Sequence, residues 1–345
     1  MVKMWEEIMQ QPKILERCGV TNERIIHEIV EVLKISNIHS IVIAARGTSD
    51  HAGIYAKYVI ECCLGIPVSL AAPSVVTVYG KRMSFKNCLV IGISQSGKAA
   101  DVLEVLREAN RSGGVTVSIT NYLDSPLALE SRFHLYTDAG IEESVAATKT
   151  FTSQMYLIAR LTAVWSNDSS MESELDRVPT KVLSTIQTLG DIKEKVQRYR
   201  YMNECFVLSR GINYPIALEA ALKIQETTYV RAKGYATSDF YHGPFAMIEK
   251  DTPVILYAPE GPCLKYASEM VKKLKEIKAE LIIVSNNSSI VEAANTSFDI
   301  PETDNDIISP FFNIVVGQIF ACQLAIAKGL NPDMPRGLNK VTITK

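Results

Sequence analysis

Two landmarks recur in this 345-residue sequence at one offset. Arg46-Gly47 ends one apolar, strand-like run and Arg210-Gly211 ends another, 210 − 46 = 164 residues later. Gly97 closes a loop after a second such run, and Gly261 closes the matching loop at 261 − 97 = 164. One offset at two landmarks points to a tandem duplication, so the fold is expected to contain one architecture twice. Within each copy, apolar runs alternate with helix-length amphipathic stretches, the pattern of a parallel sheet covered on both faces. Strands are expected at 40–45, 68–71, 88–93, 115–120 and 134–137, then at 205–209, 230–233, 253–258, 281–285 and 298–301. A long helix is expected over 144–165, and the polar run Ser166-Asn167-Asp168-Ser169-Ser170 reads as the linker between copies.

Composition narrows the class. With 47% apolar and 21% charged residues, the sequence reads as an ordinary globular protein long enough for two domains. A net charge of −2 carries no general footprint for nucleic acid. No apolar run is read as reaching the roughly 18 residues needed to span a bilayer, and the N-terminus lacks a signal-peptide core, so a cytoplasmic location is expected. Seven cysteines lie scattered, several inside apolar runs, which suits reduced, packed thiols. Neither a Cys-x-x-Cys pair nor a His cluster suggests a metal, and no cofactor is expected.

The first copy carries the sharper loop. Cys88-Leu-Val-Ile-Gly-Ile-Ser-Gln-Ser-Gly97 runs from a buried strand into two hydroxyls, an amide and a glycine. The helix after it, from Ala99, aligns Val102, Leu103, Leu106 and Ala109 on one stripe. Small hydroxyls at the carboxyl end of a strand, together with helix N-terminal amides, suit a phosphate. The same residues also fill ordinary βα turns. The counterpart in the second copy, Ala258-Pro259-Glu260-Gly261, lacks the hydroxyls. Glu260 would repel a phosphate and Pro259 has no N–H to offer. The phosphate site is therefore assigned to the first copy.

The second copy supplies acid–base groups. Glu219, Lys223 and Glu226 fall at i, i+4 and i+7 of a helix that Pro215 opens, among small alanines that permit close packing. A solvated face with an ordinary Glu-to-Lys pair would look the same. His242 sits between aromatics and the turn Gly243-Pro244, where histidine is often structural, although imidazole exchanges protons near neutral pH.

Taken together, these segments resemble the sugar isomerase (SIS) domain proteins, in particular the isomerase half of glucosamine-6-phosphate synthase and its stand-alone relatives. The resemblance covers nearly the whole chain. It is carried by Arg46-Gly47-Thr48-Ser49, Ser94-Gln95-Ser96-Gly97, Val145-Ala146-Ala147-Thr148-Lys149, the helix segment with Glu219, Lys223 and Glu226, His242-Gly243-Pro244, and the tail Pro335-Arg336-Gly337-Leu338-Asn339-Lys340. It implies an α/β protein of two tandem SIS subdomains, each a flavodoxin-like, five-stranded parallel sheet sandwiched by helices. The corresponding boundaries are capping helices over 1–39, subdomains over 40–166 and 167–330, and a lid tail over 331–345.

The resemblance also implies roles. Ser49, Ser94, Gln95 and Ser96 match positions that hold the phosphate and nearby hydroxyls of a phosphorylated sugar, with Thr48 and Ala147 beside the substrate. Glu226 matches the carboxylate that moves a proton between C1 and C2, with Glu219 and Lys223 as its polar neighbours. His242 matches the ring-opening imidazole, donated across a homodimer interface. Lys340 matches the tail lysine that closes over the open-chain sugar. Two departures touch specificity: Lys98-Ala99 stand where the family usually has Glu-Thr, and Ala147 where it has Ser. With no glutaminase segment ahead of Met1, the expected reactions run in the releasing direction. These are amino-sugar phosphate deamination, fructosamine 6-phosphate deglycation or simple aldose–ketose isomerisation; the other class is a non-catalytic sugar-phosphate sensor.

Overall fold

The computed structural model describes residues 2–340. Ten strands form two five-stranded parallel sheets. The first contains β1 (Ser40–Ala44), β2 (Val68–Leu70), β3 (Cys88–Ile93), β4 (Val115–Thr120) and β5 (Phe133–Tyr136) in the order β2-β1-β3-β4-β5. The second contains β6 (Glu204–Ser209), β7 (Arg231–Ala236), β8 (Pro253–Tyr257), β9 (Glu280–Ser285) and β10 (Thr296–Asp299) in the order β10-β9-β8-β6-β7. Counted from the start of each repeat, both orders are 2-1-3-4-5, the flavodoxin-like arrangement. The tandem α/β architecture is thus present in both halves.

Unbroken apolar runs make this sheet type because both faces are covered. In β4 all six residues are buried, including Thr116, Ser118 and Thr120. The helix Ala100–Arg111 packs Val102, Val105, Leu106 and Ala109 against β3, leaving Leu103 only partly buried. In the second repeat, Leu208, Val254, Leu256, Leu281 and Ile283 meet Met270 and Leu274 of the helix Leu264–Ile277.

By packing, the chain forms two compact units. Among the described residues, one consists of Lys13–Glu142, Lys149–Asp176 and Asn339-Lys340, and it holds the first sheet. The other consists of the chain up to Pro12, Glu143–Thr148 and Arg177–Leu338, and it holds the second. The last five residues of the expected lid tail, 341–345, lie outside the described residues.

Several expectations need correction. The helix expected from residue 144 begins at Lys149, and residues 144–148 form a loop. The proposed linker shrinks to Asn167-Asp168, because Asp168 Oδ1 accepts from Met171 N at 2.9 Å and starts the helix Ser169–Thr188. Aspartate and serine there act as a helix start, not a spacer. β7 runs on to Ala236 and β10 begins two residues early, at Thr296. One helix, Ser309–Ala327, is long and apolar enough to cross a membrane by composition, contrary to the sequence reading. Its most apolar window is 89% buried, which marks a core helix.

Candidate functional site

In the first sheet, β1 and β3 are neighbours, and the chain leaves them toward opposite edges. Ligands of open α/β sheets bind at the carboxyl ends of strands where the order reverses. Thr48 and Ser49 open the helix Thr48–Leu64 after β1, and Ser94, Gln95 and Ser96 follow β3. Ala44 of β1 pairs with Gly92 of β3, so both loops emerge from one place.

The serine loop is tied down by its own backbone. Ser94 N donates to Ile119 O at 3.1 Å, Asn121 N to Gln95 O at 3.0 Å and Leu127 N to Gly97 O at 3.1 Å. Ser94 Oγ accepts from Gly97 N at 3.2 Å and Ser96 Oγ from Lys98 N at 3.3 Å. Each hydroxyl thus accepts from the loop backbone, and its own proton makes no hydrogen bond among the described residues. Gly97 has φ +64°, and a Cβ on it would lie 2.1 Å from Ser125 Oγ, so only glycine fits. Buried Ser49 Oγ is held by Gln154 Nε2 at 3.1 Å. Arg46 Nε, 2.6 Å from buried Asp101 Oδ2, ties the end of β1 to the helix after the serine loop. That helix starts from Ala99 with no side-chain cap, while Lys98 is exposed.

The equivalent switch point in the second sheet lies between β6 and β8. There Arg210, Asn213, Thr237, Pro259, Cys263 and Asp306 close round a cavity of about 10 Å³, room for one water. Where the first repeat has Ser94, Gln95 and Ser96 after β3, this second switch point has Ala258, Pro259 and Glu260 after β8.

The acid–base set lies on the helix Tyr214–Thr228, and the solvated-face alternative does not hold. Glu219 and Lys223 are fully buried. Lys223 Nζ lies 3.2 Å from Glu219 Oε1 and 2.6 Å from Glu226 Oε2, and the Glu226 side chain keeps 19% of its surface. Burial works against the Lys223 ammonium, but Glu219 and Glu226 more than offset it and raise its pKa. Small residues make the burial possible. A Cβ on Gly234 of β7 would come within 2.8 Å of Ala217 O, and one on Gly317 of the helix Ser309–Ala327 within 3.0 Å of Ala220 Cβ. The helix ends at Tyr229 in a left-handed cap, where the Arg336 guanidinium stacks 4.1 Å from the ring centroid and Arg336 N donates to the hydroxyl at 2.9 Å.

The remaining expected residues are placed as follows. His242 is exposed and its imidazole makes no hydrogen bond among the described residues; only its backbone N is engaged, with Asp239 O at 3.0 Å. Ala147 sits half-buried in a loop whose neighbours are held by Gln318, donating to Thr148 O at 3.2 Å, and by Glu7, accepting from Ser144 N at 3.4 Å. Lys340 Nζ lies 2.7 Å from Glu142 Oε2. Sequence reasoning missed Glu142, Gln154 and Tyr229. Glu142 acts on Thr150, eight residues away, outside any capping-box spacing.

The SIS domain family model matches residues 34–163 and 200–328. The glutamine–fructose-6-phosphate aminotransferase (isomerizing) of Aquifex aeolicus is 34% identical over 344 residues, 99% of this chain and 57% of that protein. The chain thus spans somewhat over half the length of the curated relatives it matches. The C-terminal domain of the glucosamine-fructose-6-phosphate aminotransferase of Francisella tularensis superposes with a TM-score of 0.85 at 26% identity, covering 97% of this chain and 98% of that one. The glucosamine-6-phosphate deaminase of Thermotoga maritima shares the fold, with a TM-score of 0.79 at 22% identity over 99% of this chain and 100% of its own. Two family matches that each coincide with one parallel sheet, together with likeness along 99% of this chain to just over half of the aminotransferase, identify this chain as a member of the SIS domain family.

Proposed function

We propose that the chain is a phosphosugar enzyme that deaminates an amino-sugar phosphate, converting glucosamine-6-phosphate and water to fructose-6-phosphate and ammonia. The observation that carries this reading is the buried Glu219–Lys223–Glu226 set, in which one carboxylate remains reachable. Protons on carbon beside a carbonyl or imine are weak acids, so the reaction needs a fixed base and stabilisation of the charge that develops. Glu226 takes the proton from C2 of the open-chain sugar and returns it to C1. The resulting C2 imine adds water and loses ammonia. Ser49, Ser94, Gln95 and Ser96 hold the phosphate, and that remote anchorage orients the reacting end. His242, from a second copy, opens the sugar ring, and Lys340 closes over the chain.

A second reading is fructosamine 6-phosphate deglycation, in which the proton moves the other way, from C1 to C2, and hydrolysis of the resulting C1 imine releases an amino acid and an aldose phosphate. It is favoured by Ala99 and Ala147, where the family motif carries hydroxyls. The test is incubation with a panel of phosphorylated amino sugars and fructosamines, measuring ammonia, free amino acid and ketose phosphate. Ammonia with fructose-6-phosphate supports the first reading and a free amino acid the second. Absence of all products with tight binding would leave a sensor.

A further inference from the structure

Glu142 lies in the loop after β5 and is 3% exposed. Its Oε1 accepts from Thr150 N at 3.1 Å and its Oε2 from Thr150 Oγ1 at 2.8 Å, fixing the carboxylate at the start of the helix Lys149–Ser166. The same Oε2 receives Lys340 Nζ at 2.7 Å. The preceding residue is pinned as well, since Lys149 Nζ donates to Ile141 O at 2.6 Å. A buried carboxylate satisfied only by neutral donors would be costly, so the ammonium is part of what makes this burial tolerable. A tail lysine ordered by a rigid, buried acceptor also loses less freedom when it acts than one waving in solvent.

We infer that Glu142 is the positioning residue for Lys340: it holds the tail lysine ready in the absence of substrate and sets the place from which that lysine works. The part played in turnover rests on the proposed function above, whereas the holding of Lys340 does not. The full chain, free of ligand, is treated with acetic anhydride and Lys340 acetylation is read by mass spectrometry, with exposed Lys98 as the internal reference. Glu142→Gln keeps an acceptor for Thr150 but loses the charge that faces Lys340, and is expected to raise Lys340 labelling at least fivefold relative to Lys98. Thr150→Val, which removes one bond to Glu142 and leaves the carboxylate, is expected to stay within twofold of wild type. Equal Lys340 labelling in Glu142→Gln and wild type overturns the inference. Should Glu142→Gln not fold, Glu142→Asp, one methylene short of Lys340, is read in the same way.

With glucosamine-6-phosphate, Glu142→Gln is expected to lower kcat about tenfold with KM within threefold, and Glu142→Asp to recover part of the loss. An equal kcat loss in Thr150→Val would make Glu142 a mere helix cap and overturn the positioning role. A wild-type protein that turns over no phosphosugar sinks the proposed function, and the labelling result still decides whether Glu142 holds Lys340.

Discussion

Lys223 Nζ lies 2.6 Å from Glu226 Oε2, the lysine side chain wholly buried and the glutamate side chain 19% exposed. One end of the ion pair is sealed in the helix packing and the other keeps part of its surface, so the lysine fixes the orientation of a carboxylate that is open to solvent on one side. Glu219 closes the set on the sealed side.

Removing the cation should therefore be severe. Lys223→Met removes the ammonium 3.2 Å from the fully buried Glu219 carboxylate, and the expected loss is about 3–5 kcal/mol in urea unfolding. The pH dependence has a definite sign. The folded protein raises the Lys223 pKa above the ordinary 10.5, so its contribution to stability is complete below about pH 10.5. Above that, the unfolded chain gives up a proton the native state retains, and stability falls with rising pH. Lys223→Met should show a shallower alkaline decline than wild type; identical slopes would mean that the pair is not charged.

Glu226→Gln is nearly isosteric and keeps an oxygen for Lys223, but it cannot accept a carbon-bound proton. Turnover is expected to fall by about 10²- to 10⁴-fold. Affinity for fructose-6-phosphate, measured calorimetrically, is expected to stay within threefold of wild type. Undiminished turnover in this variant would remove Glu226 from its assigned role.

Ala99 begins the helix Ala100–Arg111 in an extended conformation with no side-chain cap. Ala99→Thr supplies a capping oxygen and should stabilise the fold by about 1 kcal/mol. If the serine loop holds phosphate, the added hydroxyl should also tighten fructose-6-phosphate binding several-fold. A stabilised protein that binds more weakly would mean that the methyl group at 99 shapes the site for a different ligand.

His134 of β5 gives an acid-side prediction. Burial pushes its imidazole down from 6.5 to about 4, with its Nε2 2.8 Å from Thr120 Oγ1. The unfolded chain thus takes up a proton at a higher pH than the native state, and stability should fall as pH drops from about 6.5 toward 4. Allowing for solvent screening, the loss amounts to about 1–2 kcal/mol. His134→Gln should flatten that part of the profile in urea titrations at pH 7, 5.5 and 4.5; an unchanged slope would assign the acid sensitivity to other groups.

All ten strands were legible in the sequence, most plainly β1, β3, β8 and β9, whose buried runs are nearly continuous and apolar, and the two halves repeat the order 2-1-3-4-5. The ends were less so: β10 starts at Thr296, where the polar Thr296 and Ser297 hide the pairing with Ile282 and Ile283. Glu219, Lys223 and Glu226 were visible as a spacing, but their burial was not. It depends on Gly234 and Gly317, in a strand and a helix distant in sequence. Glu142 was invisible for the same reason, since its partners Thr150 and Lys340 are 8 and 198 residues away. Local patterns report elements and caps, whereas side chains joined across the fold leave no spacing to read.

His242 is exposed in the single chain, next to Tyr241, whose ring carries Lys273 Nζ at 4.4 Å from its centroid and packs 5.8 Å from the Phe245 ring. An imidazole with no hydrogen bond among the described residues has little to fix it for proton transfer within one copy. If it serves the site of a neighbouring copy, two defective proteins can repair each other. Glu226→Gln and His242→Asn, each nearly inactive alone, are unfolded together and refolded as a mixture to force subunit exchange, with mass spectrometry of the intact assembly confirming mixed dimers. One of the two sites in each mixed dimer then has both groups intact. With half of all dimers mixed, about a quarter of wild-type activity is expected. Mixed dimers without recovered activity would place His242 and Glu226 in the service of the same copy, whereas a His242→Asn protein fully active on its own would remove His242 from the chemistry.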